Sequence, residues 1–269
     1  MIGSEVHGTA AEMVLLAGLL GAEQVLGVED PFRGWLAEEV DSAWEQARVG
    51  LAARGYLTTG PDGTVTLDAT VAALVGTWAR PRASFVVTAT RLPGPAQVVY
   101  YHVGDHLAVE QVRSADGCRL LALADAQAVL ECVCHLCGLA EQAAAAQGPL
   151  VLPESDLRRA WEAAQAGGVS AALPVLLRPG ASDEDARALA ASLAEPASNS
   201  AVAGLTRRGN SWEVAGLALL EGCNGLWRLR PFARNGADWV EVIPCTAMAA
   251  AQELRHLFNR LLPRELALR

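Results

Sequence analysis

The stretch Ser84-Phe85-Val86-Val87-Thr88-Ala89-Thr90-Arg91 opens the segment whose reading decides the fold. From here to Leu123, β-branched and aromatic residues dominate. Turn signals recur at Pro93-Gly94-Pro95, Gly104-Asp105 and Ala115-Asp116-Gly117. This pattern predicts four strands, at 84–91, 97–103, 106–113 and 118–123. Connections so short leave no room for a crossover, so the strands form an antiparallel meander. A helix follows from 125 to about 139. The tract 140–148 reads as its frayed end or as a linker.

Upstream, apolar residues at helical spacing predict a helix over 9–20, with Met13, Leu16 and Leu20 on one side and Gly21 as its stop. Asp30-Pro31-Phe32 marks a turn. A longer helix runs over 35–53, and Gly55 supplies the left-handed residue past its end. Tyr56-Leu57-Thr58, Pro61-Asp62-Gly63 and Val65-Thr66-Leu67 read as a small hairpin, and Asp68 caps a helix over 69–79.

The second half returns to the same order. Ala43-Trp44-Glu45 comes back as Ala160-Trp161-Glu162, and Ala79-Arg80-Pro81 as Ala194-Glu195-Pro196, at nearly the same shift. A helix is expected over 156–166, then a weaker apolar segment over 169–177 that Pro179 and Gly180 break. A Ser182-capped helix runs to 194. Strands follow near 199–206, 212–220, 226–232 and 239–243, and a helix over 245–262 closes the chain. The expected fold class is α+β. Two quasi-symmetric repeats, 1–147 and 148–269, each carry helices, a four-stranded antiparallel meander and a closing helix. They pack as one globule about a pseudo-twofold.

Composition narrows the function. The 269 residues are 52% hydrophobic, enough for a sizeable core. No apolar run is long enough to span a bilayer, and residues 1–20 carry Glu5 and Glu12 without a basic start, a poor secretory signal. The expectation is a soluble, cytoplasmic protein without membrane insertion. All 21 basic residues are arginine. Without lysine there is no P-loop and no Schiff-base chemistry. A net charge of −9 argues against a nucleic-acid partner.

Several clusters invite a chemical reading. Cys132-Val133-Cys134-His135-Leu136-Cys137 suggests metal, but on a helix Cys132 and Cys134 point apart and no second ligand pair stands at zinc spacing. These thiols read as packing residues. His102 and His106 flank Gly104-Asp105, and two imidazoles beside Asp105 would suit a metal- or small-molecule-dependent enzyme. The plainer reading is a solvated hairpin tip. The hairpin over 56–67 after a helix resembles a winged-helix regulator, yet Glu38, Glu39, Asp41 and Glu45 on that helix would repel phosphate. Arg228 and Arg230 share one side of a strand and suit an anion or carboxylate clamp. An exposed tryptophan would mark a contact surface. No catalytic motif is present, so neither a catalytic residue nor a cofactor is expected.

Glu12…Leu15-Leu16…Gly18-Leu19-Leu20-Gly21, then Asp30-Pro31-Phe32, then Ala43-Trp44…Leu51-Ala52-Ala53-Arg54-Gly55-Tyr56-Leu57 resembles the EspG-like family associated with type VII secretion. The order of elements matches over nearly the whole chain. The resemblance implies a cytosolic, non-enzymatic chaperone that binds a helical protein, a secretion substrate. It places contact on the 92–96 loop, with Pro93, Gly94 and Pro95, and on the closing helix, with Arg255 and Phe258. Arg228 and Arg230 join these as candidate partner-binding residues. The Pro93-Gly94-Pro95 loop is short for a hairpin that grasps a partner.

Overall fold

In the computed structural model, residues 4–114, 117–139, 148–177, 182–209 and 211–268 are described. The expected turn at Ala115-Asp116, the linker 140–147 and the break at Pro179-Gly180 lie outside them.

One sheet runs through the molecule. Its strands are β1 (Glu5–Gly8), β4 (Ala83–Arg91), β5 (Gln97–Val103), β6 (Ala108–Ser114), β7 (Gly117–Leu123), β8 (Leu150–Pro153), β9 (Pro196–Arg208), β10 (Ser211–Gly222), β11 (Gly225–Arg234) and β12 (Ala237–Cys245). Across the sheet they lie in the order β1-β7-β6-β5-β4-β9-β10-β11-β12-β8, and every pair is antiparallel. Each run of four consecutive strands is therefore a meander. The two join edge to edge at the centre, where Val87 pairs with Val202 and Val86 with Ala203. The sequence reading missed β1 and β8, each of four residues, which close the outer edges.

The helices are α1 (Ala10–Leu19), α2 (Ala37–Ala53), α3 (Ala69–Ala79), α4 (Ala126–Leu136), α5 (Glu154–Leu176), α6 (Asp183–Ala194) and α7 (Ala247–Leu261). A two-stranded hairpin, β2 (Leu57–Thr59) with β3 (Val65–Leu67), stands apart from the main sheet. The helix expected over 156–166 and the weaker apolar segment over 169–177 form one helical element with a break, where Gly167 and Gly168 leave helical geometry and Gly168 adopts φ +68°. Asp68 caps α3 by accepting from the N–H groups of Thr70 and Val71, and Asp125 caps α4 from Ala128.

Strand alternation sends side chains to two faces. On one face α4 and α7 cover the centre. Phe85, Tyr101, Val103, Val202 and Leu219 of the sheet pack there against Val129, Val133, Leu254 and Phe258. The Phe85 and Phe258 rings stack at 3.8 Å. Gly204 lies opposite Phe85 in the ladder, and a Cβ at that position would run into Leu261 and the Phe85 ring. On the other face, α1 and α3 cover the β6–β7 end through Met13, Leu16, Leu74 and Trp78. At the opposite end α5 and α6 cover β11, β12 and β8 through Ala160, Leu189 and Trp227.

The Arg54-Gly55-Tyr56 motif locks α2 to α1. Gly55 takes φ +73°, which lets the Tyr56 N–H return to the Leu51 carbonyl at 3.0 Å. Arg54 then reaches the buried Glu12 at 2.5 Å and lies over the Tyr56 ring. Burial pushes the Glu12 carboxyl up, but the bonds from Arg54 and Thr9 outweigh it and hold it below its ordinary value. Arg54→Ala is expected to cost about 1.5–2 kcal/mol in urea unfolding at pH 7, since it leaves a buried carboxylate short of its charged donor. Glu12→Gln in the Arg54→Ala background should recover part of that loss.

Candidate functional site

Between the two helical groups, one sheet face is left open along its centre. The alternation that buries Phe85, Val87 and Val202 turns Val86, Thr88, Ala201, Ala203 and Leu205 the other way, and β10 adds Trp212, Val214 and Gly216 to the same side. Ala201, Ala203 and Gly216 are exposed there, Val214 is 59% exposed and Trp212 67%. Val98 of β5, paired with Thr88, extends the open strip towards the first half. Among the described residues no helix packs over it. The strip is apolar and built of small or flat side chains, so an apolar ridge can approach the backbone closely.

The turn carrying Pro93, Gly94 and Pro95 sits at one end of this strip, where the Leu92 N–H donates to the Ala197 carbonyl at 3.0 Å. Pro93, Pro95 and Leu92 are exposed. The other candidates lie elsewhere. Arg228 and Arg230 point to the α7 face of the sheet. Each has its own acid, Glu253 for Arg228 and Glu241 for Arg230 at 3.3 Å, so they do not form a shared clamp. Phe258, expected at the contact surface, is fully buried against Phe85 and cannot meet a partner while the core is intact. Arg255 is half-buried at the mouth of a cleft beside Gln127 and Asp125.

His102 does not stand at a solvated tip. It is completely buried beneath α3, between Ser84 and Gln111. Gln111 Oε1 accepts from Trp78 Nε1 at 3.1 Å and from His102 Nε2 at 2.8 Å. The His102 proton therefore sits on Nε2, and Nδ1 accepts from the Ser84 hydroxyl at 3.0 Å. Burial pushes the imidazole down to about 4. Asp105 is held by Arg82 at 2.8 and 3.0 Å, and His106 is exposed. These residues do not converge on one point, and both ring nitrogens of His102 are committed. Among the described residues no three His, Cys, Asp or Glu side chains group as a metal site. Cys134 and Cys137 pack into the α4 core, where burial raises both thiols, Cys134 to about 11. They act as small apolar side chains. The hairpin β2–β3 does follow α2, whose Glu38, Glu39 and Glu45 are exposed, an acidic surface unsuited to phosphate.

The open strip escaped the sequence reading. Trp212, Val214 and Gly216 alternate with Glu213 and Ala215, which marks a strand with two unlike sides. Which side the helices leave bare depends on the packing of distant segments.

The model of the EspG family matches residues 9–256. The chain belongs to the EspG family. Its fold is similar to that of the type VII secretion system chaperone EspG5 of Mycobacterium tuberculosis, solved in complex with a PE25–PPE41 dimer. The TM-score is 0.63, with 19% identity and 97% of each chain covered. At that identity the likeness shows the fold alone. No curated protein matches this EspG-family chain. No helix among its described residues is long and apolar enough to cross a membrane.

Proposed function

We propose that this EspG-family chain is a cytosolic, non-enzymatic chaperone of type VII secretion. It holds a helical substrate across the open strip formed by β5, β4, β9 and β10. The observation that carries the reading is the exposed apolar centre of the sheet, in a fold similar to a chaperone solved with a PE25–PPE41 dimer. The Pro93-Gly94-Pro95 turn at one end of the strip is the contact proposed beside it, and Arg255 of α7, on the opposite face of the sheet, is proposed as a further one. Commitment of His102, Asp105, Cys134 and Cys137 to structure favours binding over catalysis.

The same reading treats the chain as two repeats, 1–147 and 148–269, packed as one globule. The strand order supports it, because each meander carries a short edge strand on its last member and joins the other through its first. The open strip then straddles the junction of the repeats, where neither half alone could form it.

The test is co-purification with a dimer of the PE25–PPE41 kind encoded in the same genome. Ala203→Asp and Val98→Asp place a carboxylate in the strip without touching the core. Each is expected to weaken the complex by about 30- to 1000-fold, the range of a central contact. Val49→Asp on exposed α2 should leave it unchanged. Formation of a stable complex that ignores both strip variants, or of none with any such dimer, overturns the proposal.

A further inference from the structure

The pairing of β10 with β11 stops early. It runs from Gly222↔Gly225 to Ala218↔Leu229 and no further, although β10 continues to Ser211 and β11 to Arg234. The cause is chemical. The two-residue turn at Cys223-Asn224 makes Gly222/Gly225 a hydrogen-bonded pair, so the hydrogen-bonded positions alternate through Leu220/Trp227 and Ala218/Leu229. The next would set Gly216 against Pro231, and proline has no N–H to give. On its other side β10 stays paired with β9 as far as Ser211↔Arg208. There the Ser211, Glu213, Ala215 and Leu217 positions carry the bonds, counted from the tip of that hairpin. The N–H and C=O groups of Trp212, Val214 and Gly216 therefore point into the gap between two ribbons. Among the described residues no other hydrogen bond reaches them. This is an unpaired inner edge, longer than either outer edge strand, and its outward side chains are exposed.

Charge describes what would fill it. Arg208 is paired with Glu213, and Arg230 with Glu241. Arg207, at the tip of the β9–β10 ribbon, bonds only the Gly209 carbonyl, and Arg234, at the tip of the β11–β12 ribbon, lies over the Trp239 ring. Neither has a carboxylate partner among the described residues, in a chain whose net charge is −9. Both ribbon tips lie at the same end of the sheet, with Arg207 on the open face by alternation and Arg234 on the α7 face, so two successive carboxylates of one extended segment would turn one to each.

We propose that 211–217 of β10 is a strand-addition site. It takes one extended segment of a partner protein, with carboxylates at the end lying between Arg207 and Arg234 and β-branched residues along Trp212, Val214 and Gly216. The backbone edge supplies the hydrogen bonds, and the exposed side chains set the register. The site shares the exposed Trp212 and Val214 side chains with the strip that would hold a helical substrate, but it adds the backbone edge of β10, which a helix lying on the face leaves unused.

The probe is an acetylated hexapeptide of two glutamates followed by alternating valine and threonine, titrated into the full-length chain. Saturable binding at sub-millimolar concentration is expected, with a shift of tryptophan emission and slowed amide exchange at Trp212, Val214 and Gly216. Val214→Pro removes an edge donor that β9 does not use. It should weaken binding at least tenfold, while Val214→Thr stays within twofold. If Val214→Pro does not fold, the same peptide N-methylated at alternate residues makes the comparison on the unaltered protein and should not bind. Replacing the glutamates by lysines should also abolish binding. No saturation at millimolar peptide, equal binding by the methylated peptide, or protection confined to β1 or β8 overturns the proposal. Val98→Asp, on β5 at the far side of the strip, weakens the complex with a helical substrate and should leave the peptide affinity within twofold, so the two readings fail separately.

Discussion

Phe258→Ala is expected to lower the unfolding free energy by about 3–5 kcal/mol, the usual loss for truncating a buried aromatic ring. The midpoint of denaturant unfolding reads it directly, and thermal unfolding should fall by roughly 6–20 °C. The size of the effect follows from what surrounds the ring. It is fully buried and stacked on Phe85 at 3.8 Å, in the core that α4 and α7 share over the centre of the sheet. Gly204 already leaves that patch of sheet without a side chain, so little is available to fill the hole. The patch also lies beside the β4–β9 seam, where the two meanders meet. Phe258→Leu keeps most of the volume and should cost less than half as much. A partner-contact role would predict the reverse: unchanged stability and weakened binding.

That correction illustrates what was legible in the sequence and what was not. The meanders were legible because their turns carry Gly and Pro at short, regular intervals, and alternation between 84 and 123 leaves few other readings. Asp68 announced its helix because a carboxylate before an apolar run has few other uses. The edge strands β1 and β8 were not legible, since four residues cannot establish a period. Nor did the tryptophan triplets mark equivalent places without ambiguity. Trp44 lies on α2 and Trp161 on α5, yet the helix that follows an edge strand in the first half is α1. Contact surfaces were the hardest part. Phe258 and Trp212 are both large aromatics on amphipathic elements, and one is fully buried while the other is 67% exposed. The difference is set by packing between distant segments: α7 turns Phe258 onto the sheet against Phe85, while no helix among the described residues covers Trp212. His102 failed for the same reason. A polar residue near a turn looks solvated until α3 is placed over it.

His102 carries the second large expectation. Its folded-state value, about 4, lies below the ordinary histidine value of 6.5, with desolvation as the main cause. Between those values the unfolded chain binds a proton that the native chain refuses, so stability falls as pH drops from 6.5 to 4 and this contribution changes no further below 4. The gap corresponds to about 3 kcal/mol. The Nε2–H to Gln111 and the Ser84 hydroxyl on Nδ1 suit the neutral ring, and protonation would force Ser84 to turn away and leave a cation beneath Trp78. Glu12 pushes in the same direction only at lower pH, because its carboxyl is depressed below 4.5. Urea unfolding at pH 7, 6, 5 and 4 should therefore show a slope near one proton between pH 6 and 5, before the carboxylate contributes. His102→Gln keeps a donor and an acceptor but does not titrate. It is expected to start less stable at pH 7 and to flatten that slope. An equal slope in the variant would place the titrating group elsewhere and return His102 to an ordinary, solvent-reachable imidazole.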